Sequence, residues 1–350
     1  MLPGNVQPRH LANALGFETS ELFEVSHRLK EWFRPSFQAE IGGKLREFDP
    51  PTDVGKRRLQ RLARFIADEL PLHPCAHGSV RRRSAFTAAR RHLGERNIVT
   101  FDVADCFPST NPDRFERELI ELGFAHDVAI LLTRILLYRG RLPQGSPASN
   151  AALNLFLFRT DEHIRTESAK FSGRYTRYCD DLVISVPRRQ DVVFAQDLMC
   201  NAIESLGFQV NAKKRIESGL QLVGMGERLV NGVVTNSDRY TRLPTADTDR
   251  IVLQCVRFSE GARSVCRRSI LGLAQRRRRL HGLISYISQS DNSPLAEMRR
   301  LLHLGDSLIL DRLRSNGLAA HANCWWLKNQ FLDEPLRFAK SWPRGVLVTV

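Results

Sequence analysis

The stretch Tyr175 to Val186, YTRYCDDLVISV, decides how the rest of the chain is read. Its two halves are strand-like, rich in β-branched and aromatic residues, and they meet at Cys179, Asp180 and Asp181. The pattern predicts a β-hairpin with a carboxylate pair at its tip. Two aspartates placed side by side oppose each other's ionisation unless a cation offsets them. Hard Mg²⁺ is the natural compensator, because it takes oxygen ligands through one or two carboxylates and fills its octahedron with water and phosphate oxygens. An Asp-Asp pair alone is more often an exposed turn than a metal site, so its surroundings decide.

Upstream, Ile98 to Val103 (IVTFDV) reads as a buried strand that ends in an acidic turn. A third carboxylate there, Asp102, permits two ions about 4 Å apart, the arrangement of polymerases and nucleases. Between strand and hairpin, Asn111-Pro112 opens a helix bearing Phe115, Leu119 and Leu122, which Gly123 stops, and a second helix is expected over Asp127 to Tyr138. Leu142 to Asn150 is a polar loop in which Ser146 caps a helix and Pro147 sits in its first turn. After the hairpin come a helix over Val192 to Ser205 and a strand at Phe208-Gln209-Val210. Strand, helix, hairpin, helix, strand implies an α+β fold with an antiparallel sheet and helices on one face.

On the N-terminal side, Leu22, Val25 and Leu29 predict a helix over Phe17 to Phe33, closed by Pro35. Ile41 to Pro51 reads as a turn at Gly42-Gly43 followed by a short strand, and Leu59 to Leu70 as a helix with a basic, solvated face. From Arg250 onward the pattern is mostly helical. There Arg276 to Arg279 precede Leu280, Leu283, Ile284 and Ile287 at helical spacing.

The 350 residues are enough for about two domains of ordinary size. With 42% hydrophobic and 26% charged residues, and no apolar run near the roughly 20 residues of a membrane span, a soluble, cytoplasmic protein without membrane partners is expected. The N-terminal segment lacks a secretory pattern, and the seven cysteines are scattered singly, as suits reduced thiols. Lys and Arg total 52 against 38 Asp and Glu, and the net charge of +14 implies a polyanionic partner. Composition does not separate nucleic acid from anionic lipid. His73, Cys75 and His77 lack a well-spaced fourth ligand, so a structural loop is expected there in place of a zinc site.

Three segments in order, Phe101 to Ser109 (FDVADCFPS), Leu142 to Pro147 (LPQGSP) and Tyr178 to Asp181 (YCDD), resemble the consecutive palm motifs of reverse transcriptases. From about Leu11 to about Leu304 the chain looks most like the bacterial retron and retron-like enzymes. Ala89 to Phe101 resembles the His-containing approach to the first catalytic strand, Gly207 to Lys214 (GFQVNAKK) the fourth palm motif, and Val230 to Val234 (VNGVV) the retron Val-Thr-Gly segment, with departures at Ala88 and Asn231. The resemblance implies a right-hand polymerase. Residues 1–96 would form N-terminal helices and fingers, 97–240 the palm with an insertion at about 140–165, 241–315 a helical thumb, and 316–350 a C-terminal extension.

Residue roles follow from the same resemblance. Asp102, Asp180 and Asp181 would hold two Mg²⁺ ions, with the carbonyl of Val103 assisting. Gln144 and Gly145 would line the incoming nucleotide, and Phe107 would lie beneath its sugar and exclude a 2′-hydroxyl; a plain loop residue and a core phenylalanine are the alternatives. Asp105 would support the nucleotide pocket through its backbone. Lys44 and Arg46 match basic fingers residues that grip the triphosphate, although an exposed alternating strand reads equally well. Lys214, or its neighbour Lys213, would protonate pyrophosphate. Arg276, Arg277, Arg278 and Arg279 would track the template–primer backbone.

The expected activity is RNA-templated DNA synthesis from dNTPs. The template would be a structured non-coding RNA, the product RNA-linked single-stranded DNA made in antiphage defence, and a toxin or effector protein a further partner. Ala88 and Asn231 keep open a defence-associated reverse transcriptase with a different DNA product. Phe107 disfavours an RNA-templated RNA polymerase, and the intact aspartates argue against a silent RNA-binding module. No RNase H or integrase domain is expected beyond the polymerase.

Overall fold

Hydrophobic spacing and turn chemistry place most elements of the computed structural model, which describes residues 2–41, 43–208, 221–222, 227–264, 270–291 and 294–315. The chain divides into two units, Met1–Arg239 and Tyr240–Val350.

The first unit begins with α1 (Pro8–Leu15), which ends where Gly16 takes φ +78°, and α2 (Leu22–His27). The helix expected over Phe17 to Phe33 is therefore shorter. The chain turns at Thr19 and Ser20, and after Arg28 leaves the helical region it tightens into a 3-10 turn at Leu29–Trp32. The short strand expected after Gly42-Gly43 is one arm of a hairpin: β1 (Phe37–Ile41) pairs antiparallel with β2 (Lys44–Phe48). Thr52 then caps α3 (Asp53–Glu69), its hydroxyl accepting the Gly55 N–H at 3.2 Å, so this helix starts ahead of the expected Leu59. α3 buries Leu59, Leu62 and Ile66 and exposes Lys56, Arg57, Arg61 and Arg64.

After α4 (Ala85–Ala89) comes β3 (Asn97–Asp102), then α5 (Pro112–Glu121), capped by Asn111, and α6 (His126–Leu136). α7 (Ser149–Phe156) begins later than Ser146 and Pro147, which lie in the loop before it. There the Ser146 hydroxyl accepts the Ala148 N–H at 3.2 Å and the Ser149 hydroxyl donates to the Pro143 carbonyl at 2.7 Å. α8 (Phe158–Ala169), β4 (Arg174–Tyr178), β5 (Asp181–Val186) and α9 (Val192–Ser205) follow. The strand expected at Phe208 to Val210 falls mostly outside the described residues. The fourth strand seen is β6 (Gln221–Leu222), and the sheet runs β4-β5-β3-β6 with antiparallel neighbours throughout.

The period of two sorts this sheet into faces. Val99, Phe101, Leu182, Ile184, Tyr175 and Arg177 share the face covered by α8 and α9. Ile98, Thr100 and Asp102 share the other with their partners Ser185, Val183 and Asp181. That face is closed at its far end by His92, whose ring nitrogens meet the Ser185 and Thr176 hydroxyls at 2.8 and 2.7 Å. Full burial pushes the His92 pKa down to about 3, so the ring is neutral. The aspartates occupy the near end.

A last hairpin, β7 (Leu229–Val230) with β8 (Val233–Val234), turns on Asn231 at φ +50° and Gly232 at φ +77°. Asn tolerates this left-handed conformation where a β-branched residue resists it, which accounts locally for Asn231.

In the second unit, α10 (Thr245–Gly261), α11 (Ile270–Ile287) and α12 (Leu295–Ser315) pack together around Cys255, Phe258, Leu280, Ile284, Met298 and Ile309. Gly305 lets α12 approach Phe258, since a Cβ there would lie 2.4 Å from the ring. The fold is of the expected α+β class, with an antiparallel sheet in the first unit and packed helices in the second.

Candidate active site

Two local features aim the hairpin tip. Cys179 adopts φ +56°, which turns the chain sharply enough to place Asp180 in the bend and Asp181 at the first position of β5. The end of β3 is tied to this bend by the Val103 N–H, which donates to the Asp180 carbonyl at 3.2 Å. Cross-strand pairing sets Asp102 opposite Asp181.

A cavity of about 340 Å³ opens at this point. Asp102, Val103, Asp105 and Phe107 line it from the turn after β3, Cys179 and Asp180 from the hairpin, Gln144 and Gly145 from the loop before α7, and Lys44 and Arg46 from β2. The residues that the sequence assigned to metal and nucleotide are thus gathered around one space, except Asp181, which pairs with Asp102 across the strands without lining the cavity, and Lys214. Lys213 and Lys214 lie outside the described residues.

The electrostatics of the cavity suit an ion and an anion. Burial raises the Asp180 pKa, and the neighbouring Asp102 raises it further, while Arg46 opposes both. The Gln144 side-chain oxygen is buried and has no partner among the described residues, as expected of a group that meets a ligand. Phe107 faces the cavity yet also packs against the hydrophobic core. Among the described residues no three His, Cys, Asp or Glu side chains are gathered into a ready ligand cluster, the aspartates included. Of the three aspartates that line the cavity, Asp102 and Asp180 offer a pair of carboxylates, the second disfavoured as a bare anion, and this still fits Mg²⁺, which needs one or two protein carboxylates and takes its remaining ligands from water and phosphate.

The sequence reading missed how β2 is held. Asp49, fully buried just after β2, accepts the Ser36 hydroxyl at 2.6 Å and Arg141 Nη2 at 3.1 Å, and Arg141 Nη1 reaches Glu47 at 2.9 Å. The Asp49 N–H donates to the Gln144 carbonyl at 2.8 Å. The strand carrying Lys44 and Arg46 is thereby joined to the loop carrying Gln144. Arg141 also holds the Glu47 carboxyl below its ordinary pKa.

Two other sequence expectations meet the structure. His73 pairs with Glu162 at 2.9 Å and His77 with the Thr87 hydroxyl at 2.8 Å, so both rings serve the loop itself. In the second unit, Arg276 and Arg279 line a cleft of about 290 Å³ with Arg257, and Arg278 is exposed. Arg277 departs from the expectation of four backbone-tracking arginines. Four consecutive positions exceed one helical turn, so one must face inward. Arg277 is that one, buried and bonded through Nε and Nη2 to Asp306 at 3.0 and 2.9 Å.

Fold and site together define a nucleic-acid polymerase domain: residues 52–218 match the family described as "Reverse transcriptase (RNA-dependent DNA polymerase)". Within that family the chain is similar to reverse transcriptases of the bacterial retron type. It is 32% identical over 178 residues to the Retron Ec86 reverse transcriptase of Escherichia coli, an alignment covering 51% of this chain and 54% of the relative. To the Retron Mx65 reverse transcriptase of Myxococcus xanthus it is 30% identical over 303 residues, covering 79% and 66%. The chain thus spans about half to two thirds of the length of these relatives. Among solved structures, telomerase from Candida albicans in complex with the TWJ fragment of telomeric RNA overlays 85% of this chain and 65% of its own at 13% identity, with a TM-score of 0.42. No helix among the described residues is long and apolar enough to cross a membrane.

Proposed function

We propose that this chain is an RNA-directed DNA polymerase that extends a DNA strand by two-metal nucleotidyl transfer. The observation that carries the reading is the single cavity into which Asp102, Asp180, Phe107, Gln144 and Arg46 converge from four separate segments. Asp102, Asp180 and Asp181 are the ligands of two Mg²⁺ ions, with the Val103 carbonyl assisting. When bound, Mg²⁺ activates the primer 3′-hydroxyl and neutralises the triphosphate and the leaving pyrophosphate. Lys44 and Arg46 hold the triphosphate, Gln144 and Gly145 seat the nucleotide, Asp105 supports the pocket through its backbone, and Phe107 packs beneath the sugar. Lys214, or Lys213, protonates pyrophosphate.

The proposed substrates are dNTPs and a structured non-coding RNA template, and the proposed product is RNA-linked single-stranded DNA serving antiphage defence alongside a toxin or effector protein in the cytoplasm. Arg276, Arg278 and Arg279 hold the template–primer backbone. Asp180→Asn should abolish Mg²⁺-dependent primer extension while leaving RNA binding within a few-fold, because carboxylates serve the chemistry and the basic surface serves affinity. Near-normal extension would refute the metal assignment. Sequencing of copurifying nucleic acid tests the product: RNA alone, or long unlinked DNA, favours the defence enzyme with a different product.

A further inference from the structure

Behind the carboxylate turn, on the sheet face opposite the cavity, lies a fully buried arginine that the mechanism above leaves unused. Arg177 and Asp161 are both 0% exposed. Arg177 Nε and Nη2 grip the Asp161 carboxylate at 2.9 and 2.7 Å, and the Tyr175 hydroxyl donates to the same carboxylate at 2.8 Å. The remaining guanidinium nitrogen, Nη1, donates to the Asn154 side-chain oxygen at 3.1 Å and to the backbone carbonyl of Cys179 at 2.8 Å. Asn154 in turn donates to the Gly78 carbonyl at 3.0 Å.

Each bond ends on something that shapes the turn. Cys179 is the residue held at φ +56° immediately before Asp180, so fixing its carbonyl fixes the peptide plane from which the first carboxylate departs. Gly78 presses on the same residue, since a Cβ there would stand 2.4 Å from the Cys179 nitrogen. The segment before Gly78 is stitched to β4 at Arg177 itself, with Arg177 N–H donating to the Cys75 carbonyl at 2.8 Å and His77 N–H to the Arg177 carbonyl at 2.7 Å. A buried ion pair is a poor device for stability, since well-packed apolar residues of similar volume serve as well or better. It is a good device for direction, because a planar guanidinium locked by a bidentate carboxylate leaves its last nitrogen no freedom.

We propose that Arg177, held by Asp161, is a positioning residue that sets the Cys179 carbonyl and through it aims Asp180 and Asp181 at the metal ions. The inference rests on the two-metal reading of those aspartates. Arg177 touches neither nucleotide nor metal. Its effect belongs to ion affinity and kcat, with little on the KM for dNTP.

The test compares wild type with two variants of the full chain: Arg177→Lys, which keeps the charge but loses the fork, and Arg177→Met/Asp161→Leu/Tyr175→Phe, which removes the ionic group together with the phenol depending on it. Mn²⁺ binding is read by electron paramagnetic resonance without nucleotide, primer extension by steady-state kinetics, and folding by circular dichroism. For the folded triple variant we expect Mn²⁺ affinity to fall about tenfold and kcat about a hundredfold, as for lost outer-shell partners and misplacements near 1 Å, with Arg177→Lys in between. Should the triple variant not fold, Arg177→Lys alone decides. A folded variant that binds Mn²⁺ and turns over like wild type overturns the proposal, as does a rise in KM alone. Asp180→Asn run in parallel separates the two failures. If it leaves Mn²⁺ binding and extension intact, the metal assignment itself is wrong and the positioning role falls with it.

Discussion

Replacing Phe107 by alanine separates two roles that one ring plays at once. Its inner face packs on the hydrophobic core and its outer face borders the cavity proposed to hold the nucleotide. Truncating a fully buried phenylalanine costs about 3–5 kcal/mol. Phe107 is only partly buried, so roughly half of that, about 2 kcal/mol, is expected to be lost. In a unit of more than 200 residues such a loss lowers the melting temperature by about 4–8 °C. The second effect is on choice of sugar. A ring beneath the ribose excludes a 2′-hydroxyl by overlap, and steric discrimination on that scale amounts to about 10–200-fold in kcat/KM. Single-nucleotide primer extension with matched ribo- and deoxynucleotides, beside a thermal melt, reads both quantities. Phe107→Ala should raise the ribo-to-deoxy ratio by at least about tenfold, while Phe107→Tyr, which keeps the ring, leaves it near wild type. A ratio unchanged within about threefold in a protein that melts several degrees earlier would make Phe107 a core residue and nothing more.

Acid should weaken the fold through His92, because the unfolded chain takes up a proton below pH 6.5 that the buried ring accepts only near pH 3. Stability is then full above about pH 6.5 and declines by about 1.4 kcal/mol per unit below it, about 2 kcal/mol by pH 5. Urea melts of wild type and His92→Gln at both pH values test this, and equal pH dependence would refute it. Asp49→Ala frees Arg141 from the root of β2 and should raise the KM for dNTP about tenfold with a smaller change in kcat, since Lys44 and Arg46 lose their anchorage. An unchanged KM would dismiss the latch. In the second unit, Arg276→Gln/Arg279→Gln should reduce the slope of log affinity against log salt by about 2. Arg277→Gln should leave that slope alone and cost about 2–3 kcal/mol, because it breaks the charged hydrogen bonds to a partly buried Asp306.

What the sequence disclosed and what it withheld follow the range of the signals. Strand alternation and helix caps are local, so β3, β5, α5 and α9 were readable to within a few residues. The cavity residues stood on short segments that resemble the motifs of a known family, and that resemblance, more than residue type or spacing, singled them out. The helix over Phe17 to Phe33 was overdrawn because apolar spacing continues across Arg28, where the backbone does not. β1 went unread because an exposed hairpin arm shows only weak alternation. The ion pairs were out of reach. Asp49 lies 92 residues from Arg141, Asp161 is 16 from Arg177, and Arg277 is 29 from Asp306; such partners leave no periodic mark on the chain. Arg276 to Arg279 look alike in sequence, and only the helix phase tells which one is turned inward.

The alternation of the palm sheet also constrains how this chain can change length. Asp102 and Phe101 are successive teeth of one strand, as are Asp181 and Leu182 of its partner, so the proposed metal-binding carboxylate and the packing residue differ only by parity. Inserting or deleting one residue within β3 would slide phenylalanine into the cavity and drive a charge into the layer beneath α9, losing chemistry and core in one event. Substitution can explore these strands position by position. Single-residue insertions and deletions cannot, and tolerated length variation is confined to the turns beyond the paired residues.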